Sequence, residues 1–299
     1  MTGKIILIAG GTGLVGTPLV ATLKQSGNTV RVLSRKPSNH NNGIFHWDPS
    51  KNEMDENALE GVTHIINLAG VGIADKRWTD KRKQDIIQSR VVPTQFLFSF
   101  VSKMPNLEQY ISASGINCYG YDNYEKCYVE SDSFGTDYLS QVVHKWEQSA
   151  DLFSSVCKVV KLRISVVLTN KGGALPKIAQ PIKMYFGTAL GSGKQWMPWI
   201  SLHDLVRMFV FSIEHNLDGA YNALSDVKTN KEFTKILAKS LNKPLWLPNA
   251  PAFVLKLVFG EMASVVLDGL QASNKKITEA GFVFNDPSLK AAFDRIYHN

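Results

Sequence analysis

A glycine loop set between a strand and a helix constrains this chain more than any other feature. Ile5-Ile6-Leu7-Ile8-Ala9 reads as a buried strand and runs into Gly10-Gly11-Thr12-Gly13-Leu14-Val15-Gly16, after which apolar residues recur at helical spacing. In such a loop Gly10 permits the sharp turn, Gly13 lets the backbone approach a pyrophosphate, and Gly16 lets the helix pack close to the sheet. The helix then presents N–H groups and the positive end of its dipole to two phosphates. Gly10, Thr12, Gly13, Leu14, Val15 and Gly16 are expected to hold a dinucleotide, the alternative being a purely structural glycine turn.

The rest of the first 170 residues repeats the same grammar. Short aliphatic or β-branched runs at Lys4 to Ala9, Thr29 to Leu33, Ile44 to Trp47, His64 to Ala69, Gln109 to Ser112 and Lys158 to Ile164 alternate with helical patterns at Leu14 to Ser26, Lys81 to Ser102 and Asp137 to Phe153. Alternation of this kind builds a parallel sheet with right-handed crossovers. After Leu168 the pattern changes. Gly187 to Trp199 is rich in glycine and tryptophan and reads as a pocket wall or as core, Leu202 to Ile213 is helical again, and Pro244 to Pro251 precedes an apolar helix expected over Phe253 to Leu270. The fold class is therefore α/β, a Rossmann-type doubly wound parallel sheet with a smaller C-terminal substrate lobe. Residues 1–170 with 201–228 are assigned to the sheet domain, and 171–200 with 229–299 to the lobe.

Cofactor choice is read about 20 residues past the loop, where an acid would bind a ribose 2′-hydroxyl. Here the second strand ends in Ser34-Arg35-Lys36. An acid would repel a 2′-phosphate, whereas Arg35 can grip it bidentately and Ser34 can donate a hydrogen bond. NADP(H) is the expected cofactor; the alternative is a solvated basic loop.

Composition narrows the function further. The net charge of +7 comes from scattered residues, and its densest cluster, Lys76-Arg77 with Lys81-Arg82-Lys83, reads as the solvated face of one amphipathic helix, so nucleic acid is not an expected partner. The first apolar run is too short for a signal peptide or a membrane span, so no membrane partner is expected. Cys118, Cys127 and Cys157 form neither a paired framework nor a Cys-x-x-Cys set, which fits reduced thiols and a cytoplasmic location. The seven histidines show no metal-ligand spacing, and no metal is expected.

Several further segments carry a resemblance: Asn67-Leu68-Ala69-Gly70, Ile73-Ala74 to Trp78, Ser89-Arg90 with Thr94, Ser112-Ala113-Ser114 with Tyr119-Gly120, Lys145-Trp146-Glu147, Gly172-Gly173-Ala174-Leu175, Gln195-Trp196 and Asp204. With the glycine loop they resemble, over nearly the whole chain, the atypical extended short-chain dehydrogenase/reductases often labelled epimerase-family proteins, which carry a poorly characterised C-terminal domain. The resemblance implies that Leu68, Ala69 and Gly70 line the cofactor's adenosine side. It places Arg90 where typical extended members carry an asparagine facing the cofactor, with a plain salt-bridge arginine as the alternative.

The wider superfamily uses a Ser or Thr after the fifth strand to polarise a carbonyl and a Tyr to transfer the proton, with a Lys four residues past the Tyr. Ser114 and Tyr138, 24 residues apart, match the first two, and both hydroxyls are expected to reach one oxygen; strand-end bonding and helix-start packing are their alternatives. The lysine position is Val142. Lys145 lies roughly 10 Å from Tyr138 along a helix axis, too far to replace it. The expected function is an NADP(H)-dependent oxidoreductase or epimerase-like enzyme acting on a carbonyl or hydroxyl of a small molecule, the alternative being a non-catalytic NADP(H)-binding sensor or scaffold. Trp199-Ile200 with His203 and Asp204 are read as orienting the chain where it re-enters the sheet domain.

Overall fold

The computed structural model describes residues 3–121 and 126–298. Every expected strand forms: β1 (Ile5–Ala9), β2 (Thr29–Ser34), β3 (Ile44–Asp48), β5 (His64–Asn67), β6 (Gln109–Gly115) and β8 (Lys158–Ile164). The short β4 (Glu53–Met54), β7 (Cys127–Tyr128) and β9 (Val166–Leu168) lie between or beyond them, followed by β10 (Trp196–Ser201), β11 (Gly219–Ala223), β12 (Asp226–Thr229) and β13 (Gln271–Ala272). The eight-stranded sheet has the order β11-β8-β6-β5-β1-β2-β3-β4, parallel except where β4 turns back on β3. β11 was not legible in advance: Gly-Ala-Tyr-Asn-Ala has little strand character of its own and is held by five register pairs with β8.

Alternation along β1 builds both faces of the sheet. Ile6 and Ile8 enter one core with Leu19 and Leu23 of α1 (Gly16–Gln25), while Leu7 and Ala9 enter the other with Leu97 of α2 (Asp80–Phe98) and Phe153, just past α3 (Tyr138–Ala150). A third core joins Leu175 and Ile182 of α4 (Ala174–Lys183), Trp199, Phe233 of α6 (Asn230–Ser240) and Phe293 of α10 (Leu289–Tyr297). Asp204, on α5 (Leu202–Glu214), is fully buried and accepts the backbone N–H groups of Asn285 and Asp286 at 3.0 and 2.8 Å, so it ties the C-terminal segment to the sheet domain.

Three expectations need correction. The single helix over Phe253 to Leu270 is broken: α7 (Ala252–Phe259) ends at Gly260, whose φ of 60° suits glycine, and a 3-10 turn leads into the one-turn α8 (Ser264–Leu267) before the short α9 (Lys275–Glu279). Lys76 and Arg77 are not on the helix with Lys81 to Lys83, because Thr79 caps α2 by accepting the Arg82 N–H at 3.1 Å. Trp199 is core rather than pocket wall, with no exposed surface.

Candidate functional site

The sheet winds outward from β1 in both directions, to β2 on one side and β5 on the other, so a crevice opens beyond the C-terminal ends of those strands. The glycine loop sits there. Gly10 has φ +76°, and a Cβ on it would lie 2.9 Å from the Leu68 carbonyl carbon. A Cβ on Gly16 would fall 2.3 Å from the Gly10 oxygen, which lets α1 start against the loop. Gly11 is equally constrained, since its Cβ would meet Val32 at 2.8 Å, a requirement that only the neighbouring strand reveals.

Gly13 differs from these. Its φ is not in the left-handed region, and a Cβ would meet only the Gly10 oxygen at 3.3 Å, so the protein's own packing makes little demand for glycine there. The N-cap Val15 gives α1 no side-chain hydrogen bond, and the first turn holds no acid. The chain thus leaves the helix start able to receive an anion, and the residues present fit a dinucleotide pyrophosphate. Thr12 is exposed on this rim, while Leu14 reaches Gly172 and Gly173 at the start of α4.

At the end of β2 the half-buried Ser34 hydroxyl accepts the Lys36 N–H at 3.2 Å, and Arg35 and Lys36 are exposed. His46 backs this corner: its Nδ1 lies 3.2 Å from the Lys36 carbonyl and its Nε2 3.0 Å from Glu53. On the β5 side, Ala69 donates its N–H to the Asn67 side chain at 3.0 Å, and the amide of buried Asn67 donates to Thr94 and Tyr110 at 3.0 and 2.9 Å. Leu68, Ala69 and the exposed Gly70 therefore stand at the crevice lip on a braced strand end.

Arg90 is buried, and among the described residues no carboxylate pairs with it. Its guanidinium donates to the Ile86 and Val71 carbonyls at 2.9 and 3.0 Å, lies 4.9 Å over the Trp146 ring and packs against Gly70. Burial pushes its pKa down to about 10, so it stays charged at neutral pH. Arg82, read from sequence as a solvated face, is half-buried and donates to the Gly72 carbonyl at 2.7 Å. The two arginines fasten the segment after β5 to α2.

Ser114 and Tyr138 are engaged separately. The Ser114 hydroxyl donates to Glu147 at 2.6 Å, and Glu147 receives both Nε and an outer nitrogen of Arg163 at 2.9 and 3.0 Å. Arg163 also donates to the Tyr119 hydroxyl at 3.0 Å, which donates to Asn222 at 2.7 Å. In this buried network Glu147 holds Arg163 firmly protonated, its hydrogen bonds and charge outweighing burial. Tyr138 opens α3 beside the cap Asp137, and its hydroxyl donates to the Lys83 carbonyl at 2.9 Å with Trp78 edge-on to its ring. Burial raises the phenol's pKa, against a smaller opposing pull from Arg90 and Arg82. Val142 is packed in the core.

A cavity of about 230 Å³ adjoins Tyr138, lined also by Trp78, Tyr121, Asp137, Leu139, Ser264 and Asp268. Burial raises the Asp268 carboxyl's pKa, with Asp137 adding to the rise and Lys256 opposing it. Sequence reasoning missed Ser264 and Asp268, which lie more than 120 residues from Tyr138 and reach it only through the tertiary fold.

Comparison with known proteins agrees with this fold. Residues 6–223 match the NAD dependent epimerase/dehydratase family, and residues 250–296 match a domain of unknown function, DUF1731. The epimerase family protein Mb2239 of Mycobacterium bovis is 35% identical over 297 residues, covering 98% of this chain and 97% of that protein. The human epimerase family protein SDR39U1, solved with NADPH, superposes with a TM-score of 0.89 at 30% identity, covering 99% of this chain and 100% of that one. A nucleoside-diphosphate sugar epimerase from Corynebacterium glutamicum gives 0.81 at 27% identity, covering 99% of this chain and 58% of the larger protein.

Proposed function

Because the chain belongs to the NAD dependent epimerase/dehydratase family, we propose that it is an NADP(H)-dependent oxidoreductase or epimerase-like enzyme acting on a carbonyl or hydroxyl of a small molecule beside Tyr138. The observation that carries the cofactor choice is the end of β2, where Ser34, Arg35 and Lys36 stand at the crevice with no carboxylate among them. SDR39U1, similar over its whole length, was solved with NADPH, which supports the same choice.

When bound, the nicotinamide supplies or accepts a hydride. The glycine loop and the start of α1 hold the pyrophosphate, Arg35 grips the 2′-phosphate, and Leu68 to Gly70 flank the adenosine. Tyr138 keeps its proton at neutral pH, so it serves as an acid that donates to a substrate oxygen. No residue of the tyrosine's own helix replaces the lysine missing at position 142; Arg90 and Arg82 of α2 pull the phenol's pKa down, by less than burial raises it. A substrate must draw the Tyr138 hydroxyl away from the Lys83 carbonyl.

A second reading, a protein that holds NADP(H) without turnover, is favoured by Ser114, whose hydroxyl is committed to Glu147. Titration decides the first step. NADPH should bind more tightly than NADH, and Arg35→Ala should weaken NADPH at least about tenfold, as the loss of a charge-assisted bidentate contact requires, while NADH barely moves. Equal curves for the two cofactors on the unaltered protein overturn the assignment. Turnover of a carbonyl panel with Tyr138→Phe then separates enzyme from holder.

A further inference from the structure

We infer that α7, with the neighbouring 184–186 and 245–246 segments, docks this protein onto an anionic lipid surface. The helix reads Ala-Phe-Val-Leu-Lys-Leu-Val-Phe, and none of its eight residues is buried. Phe253 and Leu257, one turn apart, are 73% and 78% exposed, with Val258 beside them at 58%. The chain entering α7 carries more of the same surface: Trp246 is 65% exposed and donates its indole N–H to the Tyr185 carbonyl at 2.9 Å, next to Phe186 at 61%. Pairing of Ala250 with Ala189 and Gly191 at 2.8 and 2.9 Å joins the two segments. Soluble proteins rarely leave so many large apolar side chains in water without a partner for them.

Charge selects the partner. Between positions 181 and 200, and again between 239 and 260, the sequence contains no Asp or Glu, while Lys183, Lys194, Lys243 and Lys256 all fall there. Lys243 lies 3.9 Å over the Tyr185 ring, so a cation sits within the apolar patch itself. The next acid along the chain, Glu261, is paired with Lys83. A second copy docking through this face would set Lys243 against a like charge, while the carboxylates beside α7 already face cations of this chain, Glu261 meeting Lys83 and Asp268 meeting Lys256. An anionic bilayer satisfies both parts at once: apolar side chains enter the headgroup boundary and the lysines meet lipid phosphates.

Among the described residues no helix is long and apolar enough to cross a membrane, so the contact lies on the surface. This departs from the expectation of no membrane partner, which rested on the lack of a span. α7 falls inside the segment matching the domain of unknown function, and the inference gives this helix a role independent of the reaction proposed above.

The test is flotation of the full-length protein with two kinds of vesicle, phosphatidylcholine alone and an equimolar mixture with phosphatidylglycerol. The protein should float with the mixture only. Phe253→Asp with Leu257→Asp should abolish flotation while leaving the melting temperature and the NADPH titration unchanged. Replacing Lys183, Lys243 and Lys256 with Gln should lower partitioning at least about tenfold, since each cation near such a surface adds to the attraction; these changes, none of them in the core, serve if the aspartate pair disturbs folding. Absence of flotation, equal flotation with neutral vesicles, or binding untouched by both variants overturns the inference. A dimer in sedimentation that Leu257→Asp dissociates would assign the face to a second copy instead.

Discussion

Gly13 and Gly16 sit three residues apart in one loop, yet the structure gives them opposite reasons to be glycine. An alanine Cβ at Gly16 would lie 2.3 Å from the Gly10 oxygen and 2.6 Å from the Gly11 Cα. Both are backbone atoms, so no rotamer relieves the clash and the loop itself must move. A forced backbone shift of this kind costs about 1–3 kcal/mol, a loss of several degrees in melting temperature for a chain of this size. At Gly13 the same methyl group meets one atom at 3.3 Å, so Gly13→Ala should melt within about 1 kcal/mol of the parent, the unfolded chain's lost freedom offsetting part of any strain. Its effect should fall on the cofactor. Displacing the pyrophosphate from one backbone N–H removes a charge-assisted hydrogen bond worth about 1.5–3 kcal/mol, which is roughly a 10- to 150-fold rise in Kd. Thermal melts and NADPH fluorescence titrations on the two variants separate the effects. A Gly13→Ala protein that melts normally and binds NADPH as the parent does would refute the placement of phosphate in this crevice, and a Gly16→Ala protein with the parent's melting temperature would refute the packing argument.

Glu147→Gln should cost about 3–5 kcal/mol in denaturant unfolding, because it leaves the buried Arg163 guanidinium without its counter-charge, whereas Ser114→Ala removes one hydrogen bond and should cost about 1 kcal/mol. If the proposed reaction occurs, Tyr138→Phe should reduce NADPH-dependent turnover by about 10²-fold or more with little change in melting; unchanged turnover would place the proton donor elsewhere. The His64 pKa is lowered from 6.5 to about 4, chiefly by burial and then by Lys4, whose Nζ lies 3.0 Å from its Nε2. The folded state therefore resists protonation, so the stability from neutral His64 is present above pH 6.5 and is lost as pH falls towards 4. The loss is on the order of 2 kcal/mol, with allowance for partial solvent screening, and melting curves across that window should flatten in His64→Gln.

The sequence alone determined the sheet domain's strand and helix order and the position of its crevice, because period-two and helical patterns and a glycine loop are local signals that tertiary context here reinforces. Six strands stand within a few residues of their expected bounds. It could not determine β11, whose residues pair only because β8 offers an edge, or the break at Gly260, where one glycine interrupts a largely apolar stretch. The candidate catalytic centre shows the same division most sharply. Resemblance to the wider superfamily, matched by spacing, brought Ser114 and Tyr138 into one hypothesis, but the fold gave the serine to Glu147 on α3 and the tyrosine to the Lys83 carbonyl on α2. Spacing along a chain fixes which element carries a side chain, whereas its hydrogen-bond partner depends on which polar groups the packed neighbours leave unsatisfied. For the same reason the cations near Tyr138 come from α2, with the Lys83 ammonium 5.4 Å over its ring and Arg90 and Arg82 within electrostatic reach, and only the packing of α2 against α3 put them there.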